Sequence, residues 1–325
     1  MGRALITGID GFVASHLVDY ILDHEPDWEV FGTCRRLADK KNIAHRLKEI
    51  TVLDMELTDP HSVFNAVKAA RPDKVFHLAG QSFVPTSWTS PAGTFETNAV
   101  GTANILEAVR QNYIYIHAYV QIAGSSEEYG LVDPSECPIN EDIQPLRPLS
   151  PYGVSKVAAD LFGYQYARSY GMNITRTRSF NMTGPRRGEM FVTSDFAKQV
   201  ALIEKKKQDP VIVHGNLEAI RDFTDVRDSV RAYWLLSEKR GTGDVFNICS
   251  GNGHSMLDVL KTLLDLSYYH PGLITHRLDE KRLRPSDVPL LQGCNNKIRA
   301  VTGWEPEYLF EDTMKDLLDY WRERT

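Results

Sequence analysis

The sequence predicts an α/β fold, a doubly wound parallel sheet with a smaller, interleaved α/β domain, and three observations carry that expectation. Short β-type runs alternate with helix-period segments through residues 1–180, the pattern of right-handed βαβ units. A glycine turn, TGIDGFVA (7–14), joins the first strand to the first helix, where such sheets bind a phosphate group. Beyond 181 the texture changes to shorter elements separated by PRRGEM, GNLEAIRDF and GNGH, which predicts a second domain.

In order, RALIT (3–7) is a strand, and 12–24 a helix. EVFGT (29–33) and ITVLDM (50–55) are strands, 60–70 is a helix, KVFHLA (74–79) a strand and 91–111 a helix. AYVQIA (118–123) is the next strand, and GSSEEYG (124–130) follows it. After a loop rich in Pro, Asp and Glu (131–150) come a helix at 151–170 and the strand-like NITRTRSF (173–180). A long helix is expected near 191–207, and VFNICSG (245–251) has the character of a strand that rejoins the first sheet. The predicted division is therefore residues 1–180, with about 220–250, in the nucleotide-binding domain, and 181–219 with 251–325 in the second.

At 325 residues and 42% hydrophobic content the chain can build a well-formed core. No window approaches the roughly 18 to 20 consecutive apolar residues of a membrane span, and the N-terminus reads as a strand, so a cytoplasmic enzyme with no membrane partner is expected. A net charge of -6 argues against nucleic acid as the main partner. The four cysteines, Cys34, Cys137, Cys249 and Cys294, form no CxxC pair, so neither a zinc site nor a disulfide framework is indicated, and no metal is expected.

In the glycine turn, Gly8 permits the sharp reversal, Gly11 lets backbone approach a pyrophosphate, and the small Ala14 lets helix pack on strand. After the second strand, where an acidic residue would hold the ribose hydroxyls of NAD, the chain has Arg35 and Arg36. They favour NADP over NAD, because arginine accommodates a 2′-phosphate; the alternative is a solvated basic loop. His77 is expected in the core. Tyr152 and Lys156 lie at i and i+4, on one helical face. An ammonium beside a phenol stabilises the phenolate, which makes Tyr152 a proton shuttle for an alcohol that loses or gains hydride.

Together TGIDGFVA, HLAGQS, NAVGT, GSSEEYG, SPYGVSK and RDFTDV resemble, in order, the extended short-chain dehydrogenase/reductase family, with its Rossmann-type fold. Within it the chain is most similar to the GDP-mannose 4,6-dehydratases and the related GDP-4-keto-6-deoxy-mannose reductases, on NMTGPRRGEMFVT (181–193), GNLEAIRDF (215–223) and RLRPSDVPLLQG (282–293). The resemblance implies that Thr7, Gly8, Gly11, Phe12, Val13, Arg35, Arg36, Glu56, Leu57, Leu78, Ala79, Gln81 and Asn98 bind the dinucleotide, with Tyr152 and Lys156. It implies a catalytic set of Ser125, Ser126, Glu127, Tyr152 and Lys156, and nucleotide-sugar contacts from Ser82, Val84, Asn181, Arg187, Val192, Asn216, Arg221, Arg284 and Asp287.

The expected activity is that of an NADP-dependent GDP-mannose 4,6-dehydratase, with Glu127 removing the C5 proton. The alternatives are the 4-keto reductase, another nucleotide-sugar dehydratase or epimerase and, from a different class, a non-catalytic NADP-binding scaffold. Glu128 is expected to be a solvated or backbone-bonding loop carboxylate, facing away from Glu127 if the backbone is extended. Three departures bear on the choice of enzyme: Glu56 stands for an aspartate, Asp195 for a lysine of the dehydratases, and Thr224 for their histidine. The family likeness implies a homodimer or homotetramer, in which the loop CRRLADKKNI could reach a neighbour's cofactor site.

Overall fold

The computed structural model describes residues 1–112, 117–283, 285 and 288–325. Its strands are β1 (Gly2–Thr7), β2 (Trp28–Cys34), β3 (Thr51–Asp54), β4 (Lys74–His77), β5 (Tyr119–Ser125), β6 (Ile174–Ser179), β7 (Asn181–Thr183), β8 (Val211–His214), β9 (Ile220–Asp225), β10 (Thr242–Ile248), β11 (Gly253–Ser255), β12 (Thr275–Leu278) and β13 (Leu290–Leu291). Among the described residues seven of these form one sheet in the order β10-β6-β5-β4-β1-β2-β3, every pair parallel. The order reverses direction at β1 and β4, so a crevice opens beyond their carboxyl ends, where a sheet of this kind takes its ligand. The fold is therefore the α/β Rossmann type, and β10 rejoins the sheet beside β6.

Two apolar layers bury the sheet. On one face α1 (Phe12–His24) packs beside a later helix, Val226–Ser237, around Leu17, Ile21, Phe76 and Trp234. On the other, α2 (Pro60–Ala70) and the helices 101–111 and 151–170 cover Leu5, Val75, Ile105 and Val120. These strands are buried on both sides, which is why their sequences run apolar without alternation.

Between β4 and β5 the chain forms α3 (Val84–Thr89), α4 (Pro91–Phe95), one π-helical turn at Glu96–Val100 and α5 (Gly101–Gln111). The single helix expected over 91–111 is thus interrupted. The widened turn directs Asn98 inward, where it is buried, and π turns of this kind recur at functional positions. The next helices are α6 (Pro151–Tyr170), α7 (Val192–Glu204), α8 (Val226–Ser237), α9 (Met256–Asp265), α10 (Asn296–Thr302) and α11 (Phe310–Arg322). α6 begins on a Ser150 cap, whose hydroxyl accepts from the Gly153 N–H at 3.0 Å, and ends at Gly171 in the left-handed conformation.

A third apolar cluster, with Phe196, Leu260 and Leu317 at its centre, joins α7, α9 and α11. Beside it, β9 carries β11, β13 and β7, and β12 pairs with β8. Among the described residues no helix is long and apolar enough to cross a membrane. No group of His, Cys, Asp and Glu there could hold a metal ion.

Candidate active site

The crevice begins at the glycine turn. Gly8 has φ +68°, and a Cβ there would sit 2.9 Å from the Ala79 Cα, so any side chain would push β1 and β4 apart. The Thr7 hydroxyl accepts the Leu78 and Ala79 N–H groups at 3.1 and 3.0 Å, tying the two strand ends together. Gly11 caps α1 with no side-chain hydrogen bond. The first-turn N–H groups at Phe12 and Val13 are therefore free to meet an anion. This bare helix end and the cradle at Gly8 fit a dinucleotide pyrophosphate. Arg35 and Arg36 follow β2 and are exposed, as is Glu56 after β3; Leu57 is buried below them. The turn at Lys41–Arg46 folds back onto its own α1, where Arg46 pairs with Asp19 and Asp23.

Asn98 organises the other side of the crevice. Its side chain accepts from the Gln81 N–H at 2.8 Å and donates to the Gln81 carbonyl at 2.9 Å and the Ser155 hydroxyl at 3.0 Å. That fixes the strand end after β4 against α6. His77 is buried beneath, between the Thr7 and Thr102 hydroxyls, a core histidine as expected, and burial pushes it down to about 3.

The predicted hydroxyl, phenol and ammonium converge at the end of β5. Tyr152 is buried near the start of α6, and its phenol hydrogen-bonds the Ser125 hydroxyl. Burial holds the phenol above its ordinary range; the Ser125 bond and Arg187 oppose that, while Glu127 and Glu128 add to it. Lys156 lies with its Nζ 5.9 Å from the Tyr152 ring centre and donates to the Ala123 carbonyl at 2.8 Å. Burial pushes this ammonium down to about 8, against the opposite pull of Glu128. Ser126 is buried and Glu127 half-buried, its N–H bonded to the Ser125 hydroxyl at 3.2 Å. The backbone around Glu127 is held close to α6, because a Cβ on Gly153 would sit 2.7 Å from the Glu127 carbonyl.

Glu128 bears out one half of the expectation, bonding the Ser125 backbone N–H, and corrects the other. It is not solvated but wholly buried. The backbone leaves its extended form at Ser125 and turns helically through 126–128, so the two carboxylates diverge by helical rotation rather than by strand alternation. Glu128 accepts the Ser125 N–H at 2.7 Å with one oxygen and the Arg178 Nε–H at 2.9 Å with the other. Arg178 also meets Asp160 at 3.0 Å, and Asp160 meets Arg176. This inner network went unrecognised from the sequence. The signal was present, since two arginines in the buried strand TRTRS require buried carboxylates.

Toward the second sheet, Ser82 is exposed, Val84 is buried at the start of α3, and Phe83 meets Phe191 edge-on at 5.6 Å. Asn181 opens β7 and Val192 opens α7, both partly buried. Arg187 stacks 3.5 Å from the Phe191 ring centre and 5.0 Å from that of Phe12, so it bridges the start of α1 and the residue before α7. Arg221 is buried in β9, its guanidinium donating to the Val288 carbonyl at 2.7 Å. Asn216 lines a cavity of about 410 Å³ with His214, Glu218, Leu278 and Leu283. A larger cavity of about 560 Å³ lies between β9 and the segment before α11, and no predicted site residue lines it. Arg284 and Asp287 lie outside the described residues.

A sequence model described as GDP-mannose 4,6 dehydratase matches residues 5–317. The chain belongs to the GDP-mannose 4,6 dehydratase family. A GDP-6-deoxy-D-mannose reductase of Pseudomonas aeruginosa is 29% identical, over 99% of this chain and 98% of its own. GDP-mannose 4,6 dehydratase 2 of Arabidopsis thaliana is 33% identical, over 97% and 86%. Among solved structures, RMD from Pseudomonas aeruginosa, complexed with NADPH, superposes with a TM-score of 0.86 at 28% identity over the whole of both chains. A Thermus thermophilus UDP-glucose 4-epimerase, in complex with NAD, gives 0.85 at 28% over 99% of this chain and 100% of its own. The chain is thus an enzyme of a family whose members differ in what they do to the sugar.

Two departures from the dehydratase pattern are placed by the fold, and one of them has partners. Asp195, in the first turn of α7, bonds Gln199 at 2.8 Å and pairs with Arg282, so a cation is still present nearby but comes from a different element. Thr224 is buried in β9, where a histidine would need more room.

Proposed function

We propose that this chain is an NADP-dependent GDP-mannose 4,6-dehydratase, forming GDP-4-keto-6-deoxy-mannose. A bound nicotinamide dinucleotide would accept hydride from C4 and return it to C6. Tyr152, as phenolate, takes the C4 hydroxyl proton, and Ser125 hydrogen-bonds the same oxygen. The new ketone acidifies C5; Glu127 removes the C5 proton while the C6 hydroxyl leaves as water, with Ser126 assisting. Hydride return to C6 and reprotonation of C5 complete a reaction whose net change is loss of one water.

The observation that carries this reading is Glu127, two residues beyond Ser125 and close enough to Tyr152 to act on its charge. A 4-keto reductase has no need of a base at C5. Support for NADP comes from the exposed Arg35 and Arg36 after β2 and from the NADPH complex of the Pseudomonas aeruginosa neighbour. The Asn216 cavity and Arg187 would take the nucleotide and its diphosphate, since guanidinium groups bind phosphate bidentately. In this reading residues 1–180 and about 220–250 bind the cofactor, and 181–219 with 251–325 bind the sugar nucleotide.

The reductase is the second reading, favoured by the Pseudomonas aeruginosa relative and by Asp195 and Thr224. Incubation with GDP-mannose and catalytic NADP+, followed by mass analysis, separates the two. Loss of one water without net NADPH supports the dehydratase. An unchanged sugar, with NADPH oxidised only when the 4-keto sugar is supplied, replaces it with the reductase. We further propose a homodimer or homotetramer in the cytoplasm. Val154, Leu161 and Tyr164 expose one apolar stripe of α6 beside Phe95 and Val100, and such a stripe is suited to a second copy.

A further inference from the structure

We propose that Arg186 is a positioning residue that couples two ligand sites: its guanidinium clasps the dinucleotide side of the crevice, so that a bound cofactor sets the loop 184–191 for the sugar nucleotide. This coupling rests on the nucleotide-sugar reading above and is built into that same site.

The backbone marks the position. Among the described residues three that are not glycine have positive φ: Arg71, Arg186 and Lys206. Arg71 closes α2, and Lys206 lies just past the end of α7, where a left-handed residue is an ordinary way to stop a helix. Arg186, at φ +70°, ends no helix and lies in the loop between β7 and α7. A side chain held in that conformation is costly, and it persists where the surrounding contacts over-determine it.

Those contacts lead to the dinucleotide side. One terminal nitrogen of Arg186 donates to the Asp19 carboxylate at 2.7 Å and to the His16 Nδ1 at 2.8 Å, both on α1. The other donates to the Asn42 carbonyl at 3.2 Å. The His16 Nε2 meets the Pro185 carbonyl at 2.9 Å. A guanidinium only donates and a carbonyl only accepts, so these partners assign His16 as neutral, with its proton on Nε2. Asn42 in turn donates from its side chain to the Asp10 carbonyl of the glycine turn at 3.1 Å. The second oxygen of Asp19 takes His45 at 2.7 Å and Arg46 at 3.2 Å. One guanidinium thus joins the loop to α1, to the glycine turn and to the segment that follows Arg35 and Arg36. Lysine, a single point of charge, could not span the three acceptors.

The loop continues toward the expected sugar contacts. Arg187 stacks on Phe12 and Phe191, and Phe191 meets Phe83, between Ser82 and Val84. Val192 follows. A dinucleotide that orders the glycine turn and the segment 35–46 orders the loop through the same bonds. A ligand that needs the loop is then linked to the cofactor, and the linkage is reciprocal.

The test titrates GDP calorimetrically, with and without saturating NADP+, so that no turnover is required. Arg186→Gly removes the guanidinium and takes the positive φ without strain; Arg186→Lys keeps a charge for Asp19. Asp19→Asn weakens the same bond from α1 and serves if the glycine variant fails to fold. Wild type should bind GDP about tenfold tighter with NADP+ present. The factor should fall to about one in Arg186→Gly, or in Asp19→Asn, and recover in part in Arg186→Lys. Wild type whose GDP affinity ignores NADP+, or a folded variant without the clasp that keeps the wild-type factor, overturns the proposal, even where both affinities drop together. Hydrogen exchange across 184–191 reads the clasp with no sugar nucleotide: NADP+ should slow it in wild type and leave it unchanged in Arg186→Gly. Wild type that binds NADP+ but no GDP sinks the nucleotide-sugar reading, and with it the coupling to that ligand. Exchange then decides the clasp alone, and protection retained by the variant overturns it.

Discussion

Replacing Lys156 with methionine tests how Tyr152 is made the base of the proposed reaction. The ammonium lies 5.9 Å from the Tyr152 ring centre. A unit charge at that distance, with an effective dielectric near 20, stabilises a phenolate by about 3 kcal/mol, equivalent to about two pH units. Burial already holds Tyr152 above the ordinary phenol range, and among the described residues Arg187 is the cation that opposes it. In the proposed reaction the phenolate is the base for C4 oxidation. A pKa raised by two units leaves about one hundredth as much of it at neutral pH. Single-turnover oxidation at saturating cofactor, followed at the nicotinamide absorbance, should therefore fall about 100-fold at pH 7 and recover as pH rises toward 10. If the loss appears only as weaker cofactor binding, and the acid limb stays where the wild type has it, Lys156 anchors the ribose and does not tune Tyr152. The reasoning would then be wrong.

Glu127→Gln should stop water loss while slow hydride transfer from C4 continues; dehydration at the wild-type rate would remove the proposed base. Gly124→Ala should destabilise by about 1–3 kcal/mol, the usual cost of overpacking, because its methyl meets the Glu128 carboxylate and the Thr177 carbonyl; an unchanged denaturation midpoint would contradict that geometry. Arg35→Ala/Arg36→Ala should weaken NADP binding by about 100-fold or more, since each charged hydrogen bond contributes about 1.5–3 kcal/mol, and should leave NAD binding nearly unchanged. Equal losses for both cofactors would show that the pair does not meet the 2′-phosphate.

The Rossmann-type sheet was legible because its signals are local. Apolar runs bounded by turns marked β1 to β6, and the expected helices at 12–24, 60–70 and 151–170 match α1, α2 and α6. The interrupted helix was not legible. Pro91 and the apolar spacing of 91–111 suit one continuous helix, and the π turn exists to point Asn98 at Gln81 and Ser155, contacts that are distant in sequence. The same holds at the active site. Tyr152 and Lys156 share a helical face, a relation that spacing alone predicts, but the burial of Glu128 depends on Arg178, 50 residues later. Residues whose roles are set by a partner across the sheet leave only an indirect trace, such as two arginines inside a buried strand.

GSSEEYG places two adjacent carboxylates in opposite electrostatic settings by one backbone event. If β5 continued as a strand, side chains at 127 and 128 would alternate, one above the sheet and one below, and neither would return to Ser125. The helical turn at 126–128 instead brings the third residue back onto the Ser125 amide. Glu128 thus meets Arg178 inside the protein, while Glu127 stays half-buried beside the tyrosine. The division between the two carboxylates thus follows from which of the two side chains the backbone folds inward.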